Sequence, residues 1–119
     1  MNRALVAAGA INGAIAIAAG AFGAHALKER LAKDALAVFE TGARYQMYHA
    51  LAIVLCAVLV STLPGARLSG WLMQAGIVLF SGSLYVLALT DVKALGAITP
   101  LGGLAFIAGW VWLAISALR

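Results

Sequence analysis

The chain has 119 residues, 65% hydrophobic and only 10% charged, with a net charge of +4 and a mean hydropathy of +1.04. A water-soluble domain, with roughly 25% charged residues, is excluded, because this chain has too few polar side chains to cover a surface in water. The excess of eight Lys and Arg over four acids is spread over loops and ends without interleaved aromatics, which suits anionic lipid headgroups and excludes a nucleic-acid stripe. A single cysteine, Cys56, rules out an intrachain disulfide, and its mid-span position reads as an inert packing thiol.

Four apolar stretches of about 20 residues, the length that crosses a hydrocarbon core, predict one all-α integral membrane domain with four transmembrane helices in an antiparallel bundle. The first covers residues 4–24 and is uncharged, with Asn12 its only strongly polar side chain. Gly9, Gly13, Ala16, Gly20 and Gly23 recur at steps of three or four, a small-residue face that lets two membrane helices approach closely. A central position is expected for this helix. The alternative is a secretory signal, with Arg3 as its basic start and Ala24-His25-Ala26 resembling a cleavage site, although the apolar run exceeds a usual signal core.

Most of the charge lies between Ala26 and Arg44. Leu27, Leu31, Ala35, Val38 and Phe39 follow helical spacing beneath Lys28, Glu29, Arg30 and Lys33, predicting a short amphipathic interfacial helix over residues 26–40. Leu36 breaks the stripe, and Asp34 is placed to cap a second short helix instead. Thr41-Gly42 is expected to interrupt the helix before the second span, residues 45–63. That span ends at Pro64-Gly65, a pair suited to a tight turn with positive φ at the glycine.

The third span covers residues 68–89, with Trp71 expected near one interface, Tyr85 near the other, and Ser81, Gly82 and Ser83 offering contacts inside the bundle. Asp91 and Lys93 return the chain to water. Thr99-Pro100 then supplies a capping hydroxyl and a proline at the first helical position of the fourth span, residues 100–118. Gly102 and Gly103 open that span for close packing, and Trp110 and Trp112 lie near its far end. No internal repeat relates the halves. Basic residues lean five to three (Lys28, Arg30, Lys33, Arg44 and Lys93 against Arg3, Arg67 and Arg119) toward a cytoplasmic 26–44 segment. Arg44 weakens that lean if it forms an ion pair within the bilayer, so orientation stays open.

Four stretches carry a resemblance: Gly20-Ala21-Phe22-Gly23-Ala24-His25-Ala26-Leu27, Thr41-Gly42-Ala43-Arg44-Tyr45-Gln46-Met47-Tyr48-His49-Ala50-Leu51-Ala52, Leu79-Phe80-Ser81-Gly82-Ser83-Leu84-Tyr85, and Ile98-Thr99-Pro100-Leu101-Gly102-Gly103. In this order the chain resembles the small bacterial membrane proteins grouped as domain of unknown function 423, related to eukaryotic transmembrane protein 256. The resemblance implies a four-span protein of the bacterial inner membrane and no assigned activity.

The polar residues near the first connection are the remaining clue. Tyr45, His49 and Cys56 fall near one face of the second span, with Tyr48 adjacent, and Glu40 and Arg44 have the favourable i,i+4 order for a pair. If spans one and two are antiparallel neighbours, His25 is expected within a turn or two of Tyr45 and His49. The default reading is that these groups bond one another and Ser81 or Ser83, because an unpaired polar group in hydrocarbon costs several kcal/mol. A sharper reading makes His25 and His49 a proton relay or pH-sensing contact. Two imidazoles without a Cys or carboxylate cluster are too sparse for a metal or haem, and no serine sits in a nucleophile elbow or a glycine-rich phosphate loop. No catalytic residue, metal or cofactor is expected. The function classes are therefore a structural or interaction protein, associating with copies of itself or a larger membrane complex, and a small oligomeric transporter or channel linked to protons through His25 and His49. Spans one, three and four have no charge at their centres, which weighs against ion-coupled transport.

Overall fold

The structure, a computed structural model, describes residues 1–119. It is helical throughout: α1 Arg3–His25, α2 Lys33–Leu59, α3 Ala66–Gly76, a π-helical turn Ile77–Ser81, α4 Gly82–Thr90, a 3-10 turn Lys93–Ala97 and α5 Thr99–Leu118. The turn between α3 and α4 does not end the helix, so 66–90 forms a third span; with α1, α2 and 93–118 there are four helices long and apolar enough to cross a membrane. In lipid this is the open-chain solution that pairs every backbone N–H within its own segment.

The centre of the bundle is α2, not α1. Half of the apolar window of α2 is buried, against 22% for α1 and for the fourth span. Each helix packs chiefly on its neighbour in sequence, α1 on α2, α2 on span three, and α3 with the π turn on α5, giving a flattened body of 48 × 26 × 18 Å. The small residues of α1 line one seam, as spacing implied: a Cβ on Gly9 would lie 2.9 Å from the Ala50 carbonyl oxygen, and one on Gly23 would lie 3.1 Å from the Phe39 ring. Gly13 reaches only the Ala50 methyl at 4.0 Å, and Gly20 meets nothing. One glycine-lined seam serves one partner, which leaves α1 at the edge.

No separate interfacial helix forms. The chain turns through Ala26–Leu31 and then runs as one 27-residue helix from Lys33 to Leu59, about 40 Å long against a hydrocarbon core of about 30 Å. Its first turns therefore project beyond the core. Thr41 keeps its hydroxyl on the Ala37 carbonyl (2.9 Å), satisfying itself without breaking the helix. Gly42 is buried against Tyr85 and Leu84, with room for no larger side chain than the 3.0 Å to the Tyr85 ring allows. The predicted apolar stripe covers the bundle end instead of a membrane surface: Leu27, Phe39 and Ala88 form a small core, with Leu31, Leu36 and Val38 against it. Asp34 is the second residue of α2, whose cap is Ala32, so it caps nothing.

Two other turns differ from expectation. Gly65 has φ −61 and no glycine has positive φ; the residue must be small because a Cβ would strike Ser116. The left-handed position is Asp91 (φ 57), which closes α4, a conformation that Asp tolerates through its short polar side chain. Thr99 lies inside α5 behind Ile98 and bonds Ser83 across the span junction at 2.6 Å instead of capping. Cys56 is buried in the main core with Leu5, Ile53, Met73, Ile77 and Phe106.

Candidate functional site

The buried amide and imidazole side chains fall into two groups. The first joins three spans through one hydrogen-bonded chain, and its direction follows from a single backbone group. The Ala8 carbonyl can only accept, so the Asn12 atom 2.9 Å away is the amide nitrogen Nδ2. The Gln74 atom 2.7 Å from Nδ2 is then the acceptor Oε1. Asn12 Oδ1 accepts from Gln46 Nε2 (3.0 Å), and Gln46 Oε1 accepts from the Tyr85 hydroxyl (2.7 Å). Asn12, Gln46 and Tyr85 have spent their principal groups on one another, while the Gln74 NH2 donates to no protein atom. Tyr85 is thus turned inward, its ring 4.9 Å from Phe39, and not placed as an interfacial anchor.

The second group centres on His49, 5% exposed. Its Nδ1 lies 2.8 Å from the Tyr45 carbonyl and its Nε2 receives the Trp110 indole N–H at 3.2 Å. A carbonyl only accepts and an indole N–H only donates, so both bonds together require the neutral Nδ1–H tautomer. Phe106 stacks on the ring at 3.5 Å and 9°. Both nitrogens and one face are occupied, which describes a lock between α2 and α5.

His25 is not part of this set. Gly23 lies against Phe39, so His25, two residues on, is level with Ala37 and about 18 Å along the helix from His49; it is exposed at the end of α1. A relay between the two histidines is therefore not assembled. Glu40 and Arg44 are exposed and unpaired, the one ion pair being the exposed Lys93–Asp91 contact at 3.2 Å. Arg44 extends from the outer face of α2, where a long side chain reaches back toward the headgroups. Tyr45 and Tyr48 pack edge to face at 5.5 Å on the rim, Tyr45 also against Phe80 (4.8 Å). Neither serine reaches His49: Ser83 bonds the Phe80 carbonyl (2.9 Å) and Thr99, and the Ser81 hydroxyl has no partner although fully buried.

Of the expected packing residues in spans three and four, Gly102 is essential, since a Cβ there would run into the Phe80 backbone, whereas Gly103 meets nothing and Gly82 only the Ile77 carbonyl at 4.0 Å. Sequence reasoning missed Asn12, Gln46, Gln74, Tyr85 and Trp110 as site members. The signal was present: each of the first three spans carries one Asn or Gln, a residue type that bonds across membrane helices.

These residues floor a groove of about 580 Å³ between α1 and span three, bounded by Ile11, Ile15 and Val78 and floored by Asn12, Gln46, Gln74, Ser81 and Tyr85. Its rim, Ile11, Ile15 and Val78, is exposed on the outside of the bundle. None of the Lys, Arg, Asp or Glu side chains is buried anywhere in the chain.

With this geometry in view, the family model described as protein of unknown function (DUF423) matches residues 19–103. The chain belongs to this family. Its relatives include UPF0382 membrane protein YwdK of Bacillus subtilis (strain 168), 50% identical over 114 residues and 93% of each chain. UPF0382 membrane protein SAB0533 of Staphylococcus aureus is 46% identical over 112 residues, covering 93% of this chain and 92% of its own. No solved structure matches the chain. Membership of the DUF423 family makes the protein a multi-pass membrane protein and indicates no specific activity.

Proposed function

We propose that this DUF423 protein is a non-catalytic interaction protein of the bacterial inner membrane, associating with a second copy of itself through the outer face of α1. The observation that carries this reading is the composition of that face. Opposite the seam with α2, the exposed positions Ala7, Ala10, Ala14, Ala18 and Ala21 repeat at helical spacing. An all-alanine strip gives lipid tails little to grip but lets another backbone approach closely. Transport is disfavoured by the same polar bookkeeping that builds the bundle: no ionised side chain lies in the interior and His49 is bonded on both nitrogens.

Cysteine crosslinking in membranes tests this, using Ala14→Cys in a Cys56→Ala background. A disulfide-linked dimer from Ala14→Cys, absent from Ile107→Cys on the outer face of α5, is the expected result. Equal crosslinking at both positions, or solute flux in proteoliposomes that His49→Leu abolishes while the fold persists, would overturn the proposal.

A further inference from the structure

Arg44 is the one charged side chain whose backbone lies well inside the hydrocarbon. The bundle itself marks the midplane: Phe106 and Trp110, which bracket the middle of α5, both meet His49, and Gly13, near the middle of α1, faces Ala50. From that level Arg44 is about 8 Å along the helix, within the roughly 15 Å half-thickness of a hydrocarbon core. Glu40, one turn nearer the surface, is about 14 Å from it, at the edge of the core. Both side chains are exposed on the outer face of α2, whereas intramembrane charges almost always face a bundle interior.

The two charges are stacked along the membrane normal. Helical side chains lean toward the N-terminus of their own helix, so Arg44 rises toward Glu40 and the headgroups. Residues so spaced and so ordered favour a pair, yet none forms between them, the one ion pair being Lys93–Asp91. The outer face of α2 thus presents a free cation with a free anion above it. A zwitterionic phospholipid has the reverse order: its phosphate, esterified to glycerol, lies deeper, and its ammonium sits one ethylene farther out. Phosphate therefore falls to Arg44 and ammonium to Glu40. Beneath Arg44 the exposed stripe continues through Tyr48, Leu51 and Leu55, an apolar wall along which an acyl chain runs toward the midplane.

Head chemistry narrows the lipid further. A choline nitrogen has no N–H to give the Glu40 carboxylate, whereas a primary ammonium has three. A glycerol head has no cation at all and brings an uncompensated negative charge beside Glu40. We infer that Glu40 and Arg44 bind the head of a phosphatidylethanolamine, its phosphate on the Arg44 guanidinium, its ammonium on the Glu40 carboxylate and one acyl chain along Tyr48 and Leu51.

The full-length protein in mild detergent is titrated with phosphatidylethanolamine, phosphatidylcholine and phosphatidylglycerol of identical acyl chains, and bound lipid is counted by native mass spectrometry. Phosphatidylethanolamine is expected to bind at least about threefold tighter than either of the others, as one exposed charge contact predicts. Glu40→Gln brings it down to the level of phosphatidylcholine. Arg44→Gln weakens all three lipids, since each carries a phosphate. Arg67→Gln, the same loss of charge at the opposite end of the bundle, leaves the preference unchanged. Neither Glu40→Gln nor Arg44→Gln removes an internal bond, so both keep the melting temperature of the wild type in lipid-free micelles. Phosphatidylglycerol or phosphatidylcholine bound as tightly as phosphatidylethanolamine, a preference that survives Glu40→Gln, or its equal loss in Arg67→Gln overturns the inference. A melting temperature lowered by either variant at α2 overturns it as well, because the charges would then be serving the fold. Absence of any lipid preference together with a dimer that dissociates on Arg44→Gln would assign this face to a second copy of the chain instead.

Discussion

Trp110 donates its indole N–H to His49 Nε2 at 3.2 Å, and this bond crosses from the last span to the central one. Because the other nitrogen of His49 is held by its own helix at the Tyr45 carbonyl, the ring has a single orientation in which both bonds form. The stack with Phe106 then fixes α5 against α2 from a second position one turn away. In a bilayer this matters more than burial does. Lipid is as apolar as the side chains it displaces, so helix association rests on close packing and on such bonds.

His49→Leu leaves the Trp110 N–H without an acceptor and is expected to cost about 1–3 kcal/mol. Alanine substitution of Lys28, Arg30 or Lys33, all exposed, is expected to stay within about 0.5 kcal/mol. Thermal melting in mild detergent, followed by tryptophan fluorescence, compares the two sets; comparable shifts contradict the assignment of His49 as a lock.

Gln46→Leu removes the acceptor for Tyr85 and the donor for Asn12, with an expected loss of about 1–2 kcal/mol at the strengths measured for bonds between membrane helices. The amides act as one chain, so Asn12→Leu should cost less in the Gln46→Leu background than alone. A double-mutant cycle by reversible unfolding gives the coupling. Strict additivity would mean that the three amides are independent.

Glycines separate by what surrounds them. Gly102→Ala places a methyl group into the Phe80 backbone and is expected to destabilise by about 1–3 kcal/mol. Gly20→Ala and Gly103→Ala meet open space and, as helix-interior replacements, gain up to about 1 kcal/mol. Melting temperatures of the three variants should therefore move in opposite directions.

The four spans were legible because hydrocarbon imposes a length and a composition that few other environments do. The small-residue seam of α1 was legible at Gly9 and Gly23 for a similar reason, since close approach demands glycine at helical spacing. The same spacing included Gly20, which touches nothing, because periodicity names a face without saying how far the partner extends along it. The break expected at Thr41-Gly42 failed because a helix held by packing tolerates residues of low propensity. His25 and His49 looked like a pair in a sequence with only two histidines, yet antiparallel register separates them. Register is set by which glycine meets which side chain, and that information is not local. The Asn12, Gln46 and Gln74 chain was the readable part that chemistry-motif reasoning passed over, being made of residues that carry no charge.

Each span leans mainly on the one made just before it. A ribosome feeding this chain into a membrane thus delivers every new helix beside a finished partner, and the Asn12 amide meets Gln46 in the first hairpin before Gln74 exists to complete the set. An N-terminal fragment ending at residue 63 should accordingly insert and hold its α1–α2 contact, measurable as a Gly13→Cys to Ala50→Cys crosslink in a Cys56→Ala background, a Cβ on Gly13 lying 4.0 Å from that of Ala50; failure of that crosslink would mean that the late spans are needed to close the early ones.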